Sequence, residues 1–200
     1  MSQRYVLDDS PLPKFAFGQK GLISWGTVGF MVIEGSMFAM AIVVYFYLRL
    51  KVTAWPPSLP DPDVSFGTAN LLVAIVTCIP TMLAKRAAEA FDLRRVRLWM
   101  TLLTLGNVAT VVIRGFEYTQ LNCRWDDNAY GSIVWLLLSL HTIHIATDAV
   151  ESGVLTVLAF TGPMTERRFV DIAEDALYWY FIVAWWVPVY LIIYWAPRWL

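Results

Sequence analysis

The stretch from Trp25 to Arg49, WGTVGFMVIEGSMFAMAIVVYFYLR, decides how the chain is read. At ~1.5 Å per residue, the run from Gly21 to Leu48 is roughly 40 Å long as a helix, against a hydrocarbon core of about 30 Å. It is long and apolar enough to cross a bilayer, and it carries one ionisable group, Glu34, near its middle. A carboxylate at that depth costs at least ~2.5 kcal/mol on insertion scales, so it faces protein, a partner or trapped water rather than lipid. Two readings follow. Glu34 is either a hydrogen-bonded structural group inside a helix bundle, or one member of a functional polar cluster whose other members lie elsewhere in the chain.

The composition extends that reading to the whole chain. Of 200 residues, 58% are hydrophobic and ten are Trp, and the mean hydropathy is +0.56, which points to a polytopic membrane protein. Charges cluster between apolar runs instead of alternating along amphipathic faces. No apolar core of a signal peptide precedes the first span. Of the two cysteines, Cys78 falls inside an expected span and Cys123 in a loop, so no disulfide between them is expected. A net charge of −1 speaks against nucleic acid as a partner.

Taken in order, residues 1–19 read as a polar, Pro-containing arm, and 20–200 as one bundle of five transmembrane helices, an all-α fold. Helix one covers about Lys20 to Arg49. The connection TAWPPSLPDPD is barred from helix by prolines that lack amide donors and restrict their predecessors. Helix two covers about Ser65 to Ala84, with a kink expected at Pro80. Helix three covers about Arg97 to Tyr118. The polar loop NCRWDDN leads to helix four, about Ala129 to Phe160. The turn TGPMTERR leads to helix five, about Phe169 to Trp195, with a bend expected at Pro188. No internal repeat is visible.

Five spans place the termini on opposite sides, and Lys and Arg decide which side is cytoplasmic. One side carries Arg4, Lys14, Lys20, Lys85, Arg86, Arg94, Arg95, Arg97, Arg167 and Arg168; the other carries Arg49, Lys51, Arg114, Arg124 and Arg198. The N-terminus is therefore expected in the cytoplasm and the C-terminus outside. Trp25, Trp55, Trp99, Trp125 and Trp195 sit near span ends, as interfacial anchors do.

Helix four holds the densest intramembrane polar set, His141, His144, Asp148 and Glu151, whose spacings put them on one helical face. His144 lies at about the depth of Glu34, and a contact between the two would satisfy both; it could be structural or could serve protons or a partner. A metal is not expected on this chain. Its only two histidines are three residues apart on one helix and cannot take opposite faces of a haem, and the paired Glu-x-x-His of a di-iron bundle is missing. At the far end of helix three, Arg114 and Glu117 are spaced to pair near the interface. Asp171, Glu174 and Asp175 open helix five, either as acids favoured by its dipole or as a proton-collecting surface.

With these residues in hand, the chain resembles subunit III of haem–copper terminal oxidases (the cytochrome c oxidase type) in its five-helix bacterial form. The resemblance runs through Trp25-Gly26, Glu34 with Met37-Phe38, Tyr45-Phe46-Tyr47-Leu48-Arg49, Trp55-Pro56-Pro57, Glu117-Tyr118, Tyr130-Gly131-Ser132, His141 with His144, and Tyr178-Trp179, Phe181, Trp186, Tyr190 and Tyr194-Trp195. It departs from the family where Tyr180 and Val183 replace the His and Asp of the closing helix. It departs again where Asp148 replaces a Gly, and where one extra residue stands between Glu34 and Met37. The two leading helices of seven-helix members have no counterpart here.

The resemblance implies a non-catalytic subunit in the bacterial inner (cytoplasmic) membrane. Such a subunit holds no cofactor, stabilises the catalytic subunit I, contacts other oxidase subunits, binds phospholipid and supports proton uptake. Haem and copper reside in the partner subunits, which reduce dioxygen to water; a respiratory supercomplex is a further possible setting. Alternative readings are an accessory protein of a nitric oxide reductase or quinol oxidase, and, from another class, a small proton-coupled transporter or channel subunit.

Overall fold

A computed structural model describes residues 15–57 and 59–199. The expected N-terminal arm, with Arg4 and Lys14, lies outside the described residues as far as residue 14. Five long helices follow a single 3₁₀ turn at Gly18–Lys20: α1 (Leu22–Arg49), α2 (Ser65–Glu89), α3 (Leu93–Thr119), α4 (Ala129–Thr161) and α5 (Glu166–Tyr190). The chain then passes through a π-helical turn, Leu191–Trp195, into a last turn of helix, Ala196–Trp199. All five are long and apolar enough to cross a membrane, and no strand occurs among the described residues.

Caps account for the starts of α3 and α4 and for the end of α2. Asn128 opens α4 by accepting from the Gly131 N–H at 2.9 Å, and Asp92 opens α3 by accepting from the Arg95 N–H at 3.1 Å. The second cap moves the start of helix three four residues ahead of the expected Arg97. Between α2 and α3 the Asp92 N–H reaches Ala87 O and the Phe91 N–H reaches Ala88 O, at 2.9 and 3.0 Å. That is a Schellman closure, and its left-handed position is filled by Phe91 at φ 53° where glycine is usual. Phe91 packs edge-on against Phe17 and Phe169, which holds it there and joins the starts of α1 and α5 to this turn. α2 runs as helix through Pro80, and the π-helical turn follows Pro188 by three residues.

Buried positions recur three and four residues apart. On α2 the stripe is Gly67, Asn70, Ala74, Thr77, Thr81, Ala84 and Ala88; on α3 it is Val96, Met100, Leu103, Asn107, Thr110, Arg114 and Glu117. The first stripe is made of small residues, which let α2 lie close along α3 without a solvent-driven hydrophobic gain. α2 also packs on α5, α3 on α4, and α4 on α5, while α1 leans against α4 and α5. α1 buries only Ser24, Phe38, Ala41 and Tyr45 and presents the rest of its apolar surface outward. At the end away from Phe91, Trp55 of the Pro-rich connection is wedged edge-on between Tyr45 and Tyr130, and Arg198 donates to the Pro62 carbonyl at 2.7 Å.

Candidate functional site

The polar groups expected as one face of helix four divide into three centres, because His141 and Asp148 meet different levels of α3 while His144 meets α1.

The first is built on Arg114 of α3. The residue is 1% exposed, so its guanidinium is fully inside the bundle rather than at an interface. Nη1 donates to Glu117 Oε2 at 2.8 Å, the expected pair, and Nη2 donates to His141 Nδ1 at 2.9 Å. The guanidinium also lies over the Trp186 ring, 3.9 Å from its centroid. His141 Nε2 is 3.1 Å from the Ile182 carbonyl, so it carries the proton, and Nδ1 is left as the acceptor that Arg114 needs. Glu117 in turn accepts from Tyr194 Oη at 2.5 Å and from Asn70 Nδ2 at 3.5 Å. Four of the five helices and the π-helical turn thus meet at one buried charge pair.

The second centre is the Glu34–His144 pair. Glu34 Oε1 lies 3.2 Å from His144 Nε2, with the two side chains 12% and 7% exposed. The expected contact is present, between α1 and α4. His144 Nδ1 donates to the Leu140 carbonyl at 2.5 Å, which leaves Nε2 to share a proton with Glu34. The other Glu34 oxygen, Oε2, accepts from Tyr178 Oη at 2.8 Å. Phe38 covers the pair, its ring 5.0 Å from that of His144 and stacked on Trp185.

The third is acidic. Asp148 Oδ2 accepts from Asn107 Nδ2 at 2.7 Å, and the same amide reaches Ser152 Oγ at 3.2 Å. Glu151, one turn further on, is exposed where α4 faces α1 and α5. On α5, Glu174 accepts from Ser24 Oγ of α1. Because α5 begins at Glu166, the acids expected to open it sit in its second and third turns, beyond the reach of the dipole argument. Only Asp171 of the three is partly exposed; Glu174 and Asp175 are buried. Among the described residues no three His, Cys, Asp or Glu side chains converge closely enough to hold one metal ion.

Several members of these centres were not singled out from sequence. Asn70 and Asn107 are neutral amides in apolar runs, which the sequence does not mark as it marks an ionisable group. Tyr178, Tyr194 and Trp186 entered only through the family pattern; nothing in their spacing indicates which carboxylate or cation each meets.

No protein-family model matches the chain. Curated proteins do. The chain is 23% identical over 183 residues to the "Probable cytochrome c oxidase subunit 3" of Mycobacterium tuberculosis, covering 90% of each. It is 22% identical over 185 residues to "Cytochrome c oxidase subunit 3" of Corynebacterium diphtheriae, again over 90% of each. To the protein of the same name from Synechocystis it is 21% identical over 198 residues, covering 94% of this chain and 83% of the other. Identity is modest, but the match runs nearly end to end and five apolar helices accompany it. The chain is a multi-pass membrane homologue of cytochrome c oxidase subunit 3.

Proposed function

We propose that this chain is the non-catalytic subunit III of a terminal respiratory oxidase of the cytochrome c oxidase type, in a bacterial cytoplasmic membrane with its N-terminus inside. It binds and stabilises subunit I, which with other subunits carries the haem and copper, holds phospholipid against its outward apolar surface, and supports proton uptake while dioxygen is reduced to water. The observation that carries this reading is the end-to-end similarity to bacterial subunit 3 proteins. The buried centres fit it as internal supports. Arg114 with Glu117 and His141 locks α2, α3, α4 and α5, and Glu34 with His144 and Tyr178 ties the otherwise loosely held α1 to them.

Deleting the chain from its host tests the reading. The expected result is that a haem-containing membrane complex loses mass on a native gel and inactivates sooner during oxygen consumption. An unchanged complex with unchanged turnover and lifetime would overturn it.

A further inference from the structure

Between α1, α4 and α5, on the Phe91 side of the Glu34–His144 pair, lies a cleft of about 430 Å³. It is lined by Thr27 and Phe30 of α1, Glu151 of α4, and Glu174, Asp175 and Tyr178 of α5. Asp175 is only 2% exposed, yet neither of its carboxylate oxygens meets a hydrogen-bond donor among the described residues. Glu174 Oε2 and Asp148 Oδ1 are buried in the same condition. Asp148 and Glu151 are both near enough to Asp175 for their charges to interact.

The charges around the cleft do not neutralise it. α1 brings Ser24 to Glu174, α2 brings Lys85 to the neighbouring cleft that Glu174 also borders, α3 brings Asn107 to Asp148, and Arg167 and Arg168 of α5 act on Asp171. Neither Glu151, Glu174 and Asp175, which line the cleft, nor Asp148 and Asp171 nearby, is ion-paired among the described residues, where the ion pairs formed involve other groups. Like charges held close together oppose one another's ionisation, and a buried polar oxygen without a partner is satisfied by water where there is room for it. The cleft has room for several waters. The two unpartnered oxygens of buried Asp175 suit water and a proton.

One wall of the cleft continues the path. Tyr178 lines it and donates to Glu34 Oε2 at 2.8 Å, and Glu34 meets His144 through its other oxygen. We propose that this cleft is a hydrated proton inlet, in which Asp175, with Glu151 and Glu174, holds an exchangeable proton and Tyr178 connects it to the Glu34–His144 pair. The transfer balances without any redox partner. The Asp175 O–H proton passes to a cleft water, that water gives a proton to the Tyr178 oxygen, and the Tyr178 O–H proton moves to Glu34. Tyr178 and the water end as they began; Asp175 has lost one proton, and the Glu34–His144 pair has gained one. The inference deepens the proton-uptake reading above and rests on it for what the protons are used for.

The test is infrared difference spectroscopy of the purified complex, in H₂O and in D₂O. The wild type is expected to show carboxylic acid C=O bands that shift in D₂O, one lost in Asp175→Asn and another lost in Glu34→Gln. In Tyr178→Phe the Asp175 band should exchange as before while the Glu34 band exchanges more slowly. Bands that stay fixed in D₂O, or an Asp175→Asn complex with an unaltered carboxylic acid region, would overturn the proposal. The wild-type and Tyr178→Phe measurements decide it even where Asp175→Asn does not assemble. A haem spectrum of the same sample tests the oxidase reading separately: haem without exchanging bands removes the inlet alone, and exchanging bands without haem remove the oxidase alone.

Discussion

Arg114 is the charge with the most to lose. Its partners Glu117 and His141 are as buried as it is, so truncating it strands a carboxylate in the bundle interior. Breaking a buried pair by removing one member costs ~3–5 kcal/mol, and Arg114→Ala is expected to destabilise the chain by about that much in thermal unfolding in detergent. Arg114→Lys should recover only part of the loss, because a single ammonium cannot repeat the two-pronged contact or the stacking on Trp186. A lysine variant as stable as wild type would show that charge alone matters there. At Glu34 the expectation is milder. Glutamine keeps an acceptor for Tyr178 and offers an N–H to His144, so Glu34→Gln should assemble at wild-type level, within the ~1–2 kcal/mol of a membrane hydrogen bond. Failure to assemble would show that the carboxyl itself is required. Both pairings were legible in the sequence, the first from i, i+3 spacing and the second from two ionisable groups at one depth. The depth of Arg114 and its bond to His141 were not, because both depend on how α3 is rotated against α4.

The most extensive helix contact is that of α2 on α3. A Cβ added to Gly106 of α3 would stand 2.2 Å from Thr77 Cγ2 of α2. Thr77 is not free to turn away, since its hydroxyl donates to Ala74 O at 2.7 Å and accepts from Trp179 Nε1 at 3.1 Å. Gly106→Ala is therefore expected to cost ~1–3 kcal/mol by overpacking. Thr77→Ser removes the offending methyl and keeps the hydroxyl, so the double variant should regain much of the loss. Simple addition of the two single effects in a double-mutant cycle would contradict the contact. The start of α4 at Asn128 was legible, whereas the start of α3 was placed four residues late although Asp92 offers a cap. Boundaries were missed at the end of α2, where Phe91 takes the left-handed position without the glycine that would have announced it. They were missed also at the start of α5, where Thr165 precedes the helix without a side-chain cap.

On the scale of the molecule, the basic residues of the α2–α3 and α4–α5 turns lie on the same side as the start of α1, where Phe17, Phe91 and Phe169 meet. Arg114, which its place in the sequence assigns to the opposite side, is inside the bundle, which sharpens the asymmetry. An impermeant thiol reagent is expected to reach Thr53→Cys from outside intact cells and Arg94→Cys only after lysis; the reverse pattern would invert the topology. Native Cys123 gives little background, since burial, with Asp127 beside it, pushes its thiol up to about 11. The number of spans and the all-helical class were readable from apolar run length alone. The sharing-out of the acids between α1, α4 and α5 was not, since it depends on which faces the helices turn toward one another.

The central claim, that this chain is the third subunit of an oxidase, is tested most directly by tagging it, purifying it from its native membrane in mild detergent, and recording a reduced-minus-oxidised spectrum of the product. The account predicts a hetero-oligomer that contains haem in fixed proportion to this chain and consumes oxygen. A colourless homo-oligomer of this chain alone would contradict it.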